Sequence, residues 1–287
     1  APMAYSVRSR RHLVLGWDDA GAVVSLAATG RNILVAGDSR SGKSWVAGLL
    51  CEQLILQGYS VCIVDPEGDY EPLEALPGVL LLGGDDPAPT PGELTRTLRH
   101  ADVSVVLDLA RFPPSDKRAY VHDVLSSLAR LRRETGLPHR IVVDEAHDYL
   151  QGPDSVDLLD HELAGYTLVT YRAGALDRGV LAATGHVVIT RETDPDEIRA
   201  LGEAWPEQAG EAEWRSRVQH LALEEAVLLP VAGNSAERPC QFRCAPRLTQ
   251  HVRHRHKYMD VPVDAGRAFR FEYDDGHGGP VVHSLRE

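Results

Sequence analysis

Eight residues constrain this chain more than any others: Gly37-Asp38-Ser39-Arg40-Ser41-Gly42-Lys43-Ser44, the pattern Gly-x4-Gly-Lys-Ser. They follow the apolar run Ile33-Leu34-Val35-Ala36 and open a segment patterned as a helix from Trp45 to Gln57. A strand, a glycine-bounded loop and a helix in that order is the context in which this pattern wraps a phosphate chain. Glycine lets the backbone curl so that successive N–H groups face the phosphates, and the new helix adds its positive end. Lys43 supplies a mobile charge to the β and γ oxygens, and the Ser44 hydroxyl can ligate Mg²⁺. Gly37, Asp38, Ser39, Arg40, Ser41, Gly42, Lys43, Ser44 and the adjoining Trp45 are therefore the expected nucleotide-contacting residues, with ATP as ligand. The alternative, a chance Gly/Ser-rich turn, does not explain the flanking strand and helix.

The rest of the composition is that of an ordinary globular protein, 43% apolar and 25% charged over 287 residues, enough for a large domain with an appendage. No apolar run approaches the roughly 18 residues of a membrane span. The start, Ala1-Pro2-Met3-Ala4, has no apolar signal region and reads as a cloning remnant before Met3, so a cytoplasmic location is expected. The end, Ser284-Leu285-Arg286-Glu287, reads as truncated. A net charge of −12 argues against a protein coated in basic patches for nucleic acid, although it leaves room for a local basic surface such as a ring's pore. Of the four cysteines, Cys51 and Cys62 fall in the first helix and the next strand and read as small core residues.

Along the chain, residues 1–31 form a β-rich lead-in, 32–235 the nucleotide-binding core, and 236–287 a C-terminal appendage without clear α/β alternation. Ser60–Asp65 is a nearly all-apolar strand of the kind covered on both faces. A helix is expected over Gly92–Arg99, a strand over Val103–Leu109, and a long helix over Ser115–Glu134 with Ser115 as N-cap and Gly136 past its end. Further strands are expected at Arg140–Val143, Thr167–Thr170, His186–Thr190 and Ala226–Leu229, with a helix from Pro195 to Ala204. Strands alternating with helices predict an α/β fold: a mostly parallel sheet flanked by helices, with a smaller C-terminal appendage.

The strand Ile141-Val142-Val143 delivers Asp144 and Glu145 at its C-terminal edge, where α/β sheets bind ligands. An Asp there can hold the Mg²⁺ shell, and an adjacent Glu can orient and deprotonate the water that attacks the γ-phosphate. Taken alone, the pair would be a buried strand ending in solvated acids. About a hundred residues after a phosphate-binding loop, it predicts hydrolysis and not binding alone.

The succession GDSRSGKS, VDPEGDY (Val64–Tyr70), VVLDLA (Val105–Ala110), VVDEAH (Val142–His147), LVTYRAG (Leu168–Gly174) and VVITRETDPDE (Val187–Glu197) resembles the HerA/FtsK branch of RecA-like P-loop ATPases. The resemblance covers about residues 12–231 and rests on the order of the motifs. It implies Lys43, Ser44, Asp144 and Glu145 in the roles given above. It also implies a homo-oligomeric ring acting on double-stranded DNA, in some members with a nuclease partner. Such proteins follow the next strand with Thr-Gln, the Gln sensing the γ-phosphate, where this chain has Thr170-Tyr171. Arg40 takes a loop position that is often Gly. Arg191 stands where the family often carries an arginine near the phosphates or at a subunit boundary; otherwise it is a surface ion-pair residue. Asp65, Glu67 and Asp69 are either near the loop, as the likeness implies, or turn-forming acids.

The C-terminal stretch Pro246–Tyr258 interleaves Arg247, Arg253, Arg255 and Lys257 with His251, His254 and His256. It could meet nucleic acid or a neighbouring subunit, or be a solvated strand. Cys240-x3-Cys244 followed by His251 and His254 departs from zinc-finger spacing in its second pair and argues against zinc. Two functions follow: an Mg²⁺/ATP-dependent motor on DNA, or an ATP-driven switch that remodels a protein partner without DNA. A small-molecule kinase would not need the Asp144-Glu145 pair.

Overall fold

A computed structural model describes residues 11–160, 162–205, 212–231, 238–249, 269–272 and 278–282. The chain divides into two units, Ala1–His251 and Val252–Glu287. In the first, β1 (His12–Trp17) and β2 (Val23–Ala27) lead into β3 (Asn32–Ala36), the strand before the loop. Then come β4 (Val61–Asp65), β5 (Val79–Gly83), β6 (Ser104–Asp108), β7 (Arg140–Val143), β8 (Tyr166–Thr170), β9 (Thr184–Ile189), β10 (Glu225–Pro230) and β11 (Cys240–Cys244). The helices are α1 (Lys43–Leu56), α2 (Pro91–Thr97), α3 (Pro114–Thr135), α4 (Arg178–Ala182), α5 (Pro195–Ala204) and α6 (Ala212–Val218).

All eleven strands share one sheet in the order β2-β1-β11-β10-β9-β3-β8-β7-β4-β6-β5. From β9 to β5 every pairing is parallel, whereas β10, β11, β1 and β2 extend the sheet antiparallel. The mostly parallel α/β sheet predicted from the motif rhythm is therefore present. The lead-in strands and Cys240–Cys244 are continuous with the sheet, because β11 pairs with both β1 and β10. In the second unit, β12 (Phe269–Glu272) and β13 (Gly278–Val282) form an antiparallel pair.

The parallel strands are apolar on both faces because both faces are covered. Ile33, Val35, Val61, Ile63, Val106 and Val142 pack on α1 together with β1 and β2 residues. Their neighbours Leu34, Ala36, Cys62, Val64, Leu107 and Val143 face the side on which α2 to α6 pack. β3 lies near the middle, between β8 and β9, so the loop that follows it emerges among several parallel strand ends.

Helix boundaries depart from expectation where proline decides them. α2 begins at Pro91 behind a Thr90–Glu93 capping box, one residue earlier than predicted. α3 begins at Pro114 with Pro113 at the N-cap and no side-chain cap, so Ser115 lies inside the helix. Proline at the first helical position has no N–H to leave unpaired and a φ already suited to the helix. Gly136 closes α3 in the left-handed region at φ 77°, as expected.

Arg140 joins the lead-in to the core. Its guanidinium is buried and donates to the carbonyls of Ala28 (3.1 Å), Tyr166 (3.2 Å) and Arg31 (3.3 Å) and to the Thr167 hydroxyl (3.1 Å). Burial pushes its pKa down to about 10, which leaves it charged. Arg140→Met would strand three carbonyls, at about 1–3 kcal/mol for each buried group left unpaired. We expect a loss of about 3 kcal/mol, read as a Tm lower by about 6–12 °C; an unchanged Tm would mean that water re-solvates those carbonyls.

Candidate active site

The end of β9 holds the glycine-bounded loop in place. Thr190 donates its backbone N–H to Ala36 O (2.9 Å), and its hydroxyl lies 2.5 Å from Ser41 Oγ. Asp38 N donates to Arg191 O (2.8 Å). The Asp38 carboxylate accepts from Thr193 N (3.1 Å) and Thr193 Oγ1 (2.8 Å), with Arg191 Nε at 3.9 Å. Gly37 adopts φ 147°, and a Cβ there would stand 2.2 Å from Thr190 Oγ1. Gly42, at φ 104°, turns directly into α1, whose first turn carries no side-chain cap. A helix N-terminus without a side-chain cap is the geometry in which leading N–H groups can meet an anion. Arg40, where the family often has glycine, is itself left-handed at φ 62°.

Lys43 is buried and donates from Nζ to Asp38 O (2.7 Å). Burial lowers its pKa, against the opposing charges of Glu145, Asp144, Glu192 and Asp38. The strand-end acids therefore lie within electrostatic reach of the loop lysine. The Ser44 hydroxyl donates to Asp69 Oδ2 at 3.3 Å. Asp69 is positioned by its neighbour in sequence: Asp65 Oδ1 accepts the N–H groups of Glu67 (3.3 Å), Gly68 (2.7 Å) and Asp69 (3.1 Å), and Oδ2 that of Tyr70 (2.9 Å). Asp65 is thus a turn organiser, and Asp69 is the acid that reaches the loop. Burial still pushes the Asp65 carboxyl up to about 7.

Asp144 is buried and accepts Glu145 N through Oδ1 (2.9 Å). Burial, then the charges of Glu145 and Asp65, push its carboxyl well above the usual carboxylate range. A hydroxyl and a crowded carboxylate are hard oxygen donors whose repulsion a divalent cation would relieve, so Ser44 and Asp144 fit Mg²⁺. Glu145 sits in the left-handed region at φ 47°, ψ 43°, rare for a non-glycine residue. Beside it opens a cleft of about 360 Å³, lined among others by Glu67, Lys117, Glu145 and Asp148.

Trp45 keeps its place in the first turn of α1, while its side chain and other residues singled out in the sequence are engaged as follows. The Trp45 indole N–H donates to Ala245 O (3.3 Å), and Arg247 stacks 5.7 Å over its ring. Arg247, the one basic residue of the C-terminal stretch among those described, thus rests on α1, while His251, His254, His256, Arg253, Arg255 and Lys257 lie outside the described residues. Cys240 and Cys244 sit on one strand, about 13 Å apart at strand rise, too far to share a zinc ion. Tyr171 turns its ring edge to His147 at a centroid distance of 4.4 Å. Sequence reasoning missed Thr190, Glu192 and Thr193, although all three flank Arg191 in the quoted run TRET.

Glu192 is buried against the loop. Burial first, then its hydrogen bond with Asp38, push its carboxyl up to about 8. For Asp38, burial alone would raise the pKa, but bonds from Glu192 and Thr193 and the Arg191 charge hold it below the usual value. With its carboxyl raised and that of Asp38 lowered, Glu192 is the member of the pair suited to carry a proton and donate it to Asp38. An unfolded Glu titrates near pH 4.3, so between about pH 4.5 and 8 the folded chain binds the extra proton and stability falls as pH rises. Glu192→Gln keeps a donor to Asp38 and should remove part of that fall, seen as a shallower decline of Tm from pH 5 to 8.5. Superimposable slopes would show that Glu192 carries no such proton.

Residues 22–146 match the family described as the central domain of the helicase HerA. The fold is similar to VirB4 of Thermoanaerobacter pseudethanolicus (TM-score 0.63, 14% identity, 85% of this chain and 99% of that one). It is also similar to the genome packaging NTPase B204 of Sulfolobus turreted icosahedral virus 2 in complex with AMPPCP (TM-score 0.54, 16% identity, 76% and 98%). The cytoplasmic domain of the type VII secretion ATPase EccC of Thermomonospora curvata matches 99% of this chain, which spans 33% of that one (TM-score 0.53, 18% identity). No curated protein sequence matches significantly. Among the described residues, no helix is long and apolar enough to cross a membrane. The matched residues and the fold make this chain similar to the HerA central domain over residues 22–146 and to VirB4 and the packaging NTPase in its sheet and loop architecture.

Proposed function

We propose that the chain is an Mg²⁺-dependent ATP hydrolase that works as a motor on double-stranded DNA, as a cytoplasmic homo-oligomeric ring, with a nuclease or other protein as partner. The observation that carries the reading is the approach of the buried Lys43 to the Asp144-Glu145 pair across the sheet edge. Residues 37–45 would bind the triphosphate, and Ser44 and Asp144 would hold Mg²⁺, which when bound neutralises charge on the β and γ oxygens. Glu145 takes the proton of the attacking water as its oxygen bonds to the γ-phosphorus and the bond to the bridging oxygen breaks. Lys43 stabilises charge on the transferring group, and Arg191 supplies further positive charge there or at a subunit boundary. The HerA description and the packaging NTPase among the similar folds support DNA as the polymer.

A second reading, an ATP-driven switch or assembly ATPase remodelling a protein partner without DNA, is favoured by the net charge of −12 and by the secretion ATPase among the similar folds. Steady-state ATP hydrolysis with and without duplex DNA at two salt concentrations separates the two. The motor predicts stimulation that weakens steeply with salt, since phosphate contacts release counterions. Lys43→Ala and Glu145→Gln should each lower kcat about 100-fold or more. Hydrolysis indifferent to DNA would select the switch, and unimpaired Glu145→Gln would remove Glu145 as the base.

A further inference from the structure

His147 follows Glu145 by two positions and is buried to 2% exposure, yet its ring nitrogens face side chains that carry or border the chemistry. Nδ1 lies 3.1 Å from Thr170 Oγ1 and 3.4 Å from Glu145 Oε2; Nε2 lies 3.5 Å from Asp148 Oδ1. The Thr170 hydroxyl also accepts Arg172 N (2.9 Å). Nδ1 is hydrogen-bonded to the Thr170 hydroxyl, and the same edge of the ring lies against the Glu145 carboxylate. The ring thus stands between the carboxylate after β7 and the hydroxyl that ends β8, two strands paired in the sheet. Tyr171 closes over it edge-on at 71°. The backbone around it is equally fixed: Asp148 N donates to Glu145 O (2.9 Å), and the Gln151 side chain donates to His147 O.

We infer that His147 is a positioning residue for this site: its ring, hydrogen-bonded through Nδ1 to Thr170, packs 3.4 Å from Glu145 Oε2 and keeps that carboxylate in the direction that the left-handed backbone sets. The inference rests on Glu145 being the base. Thr170 accepts a backbone N–H from the segment carrying Tyr171 and Arg172, so a displacement of that segment reaches Glu145 through the imidazole. His147 thereby links the state of the β8 end to the orientation of the base.

The test is a set of His147 variants in the full chain, assayed for ATP hydrolysis and for binding of a non-hydrolysable ATP analogue. His147→Asn places an amide near Nδ1 and should stay within about 3-fold of the parent kcat. His147→Leu, and His147→Gln with its amide near Nε2, should lose about 10- to 100-fold in kcat, with KM and analogue affinity unchanged. In single-turnover assays on the Glu145→Gln background, His147→Leu should cost nothing further, because the carboxylate it orients is gone. Equal losses in both backgrounds, or Leu and Asn behaving alike, would overturn the inference and leave His147 a packing residue. Glu145→Gln hydrolysing like the parent would overturn the base assignment itself, and the positioning role with it. If His147→Leu fails to fold, the contrast between Asn and Gln decides.

Discussion

The site depends on one contact, the Thr190 hydroxyl against Ser41 while the Thr190 backbone bonds to Ala36. A loop that must present many N–H groups to a ligand cannot spend them on itself, so its shape has to be imposed from outside. β9 does this. Its end passes Thr190, Arg191, Glu192 and Thr193 along the loop, and each meets Asp38, Ser41 or the end of β3 through a side chain or the backbone. The glycine at 37 follows from the same contact, since any Cβ would occupy the space of the threonine hydroxyl. Loop conformation is thus a property of two neighbouring strands, and β3 must lie next to β9 for the motif to have its shape at all.

The helix that follows is buried almost all round, so its polar residues must be paired. Gln53 binds both backbone groups of Val14, accepting from N at 2.7 Å and donating to O at 2.8 Å, and so fastens α1 to β1. Glu52 accepts from Leu248 N, Thr249 N and Thr249 Oγ1, each within 2.9 Å, and so fastens α1 to the stretch beyond β11. Gly48 leaves room for the Arg247 guanidinium. Residues from both ends of the main unit are thereby clamped on the helix whose first turn opens the phosphate loop. Burial of this kind makes the helix rigid, and any shift of the 245–249 strap acts on Ser44 and Trp45 directly.

What was legible in the sequence was whatever local pattern dictates. The Gly37–Ser44 loop, the apolar strands and the Asp144-Glu145 edge each announce themselves within a few residues, and the strand–helix rhythm gives the parallel sheet. What was not legible depends on partners far along the chain. Cys240–Cys244 reads as irregular alone and becomes a strand because β1 and β10 offer it two edges. Trp45 reads as a nucleotide contact by adjacency, yet its indole is engaged by Ala245, two hundred positions on. His147 sat inside the quoted VVDEAH, where no spacing rule distinguishes a packing histidine from one turned toward Glu145. Helix starts shifted by one residue where Pro91 and Pro114 supplied the first helical position.

Three neighbouring parallel strands, β7, β4 and β6, deliver an aspartate at or just past the same edge, and position alone does not say which one matters. Lone-pair use does. Asp65 receives four backbone N–H groups, which commit both of its oxygens to holding a turn. Asp108 accepts Ala110 N at 2.8 Å and abuts the backbone of Gly83 and Gly84 on the far side, away from the loop. Asp144 accepts the single N–H of Glu145 and stands in a field of other acids, where burial and repulsion leave it wanting positive charge. A carboxylate at a strand edge is suited to a cation when the fold withholds its hydrogen-bond donors and sets a glycine-bounded loop opposite. The fold withholds them at Asp144 and supplies them at Asp65, so two similar motifs one strand apart are left with different capacities for a cation.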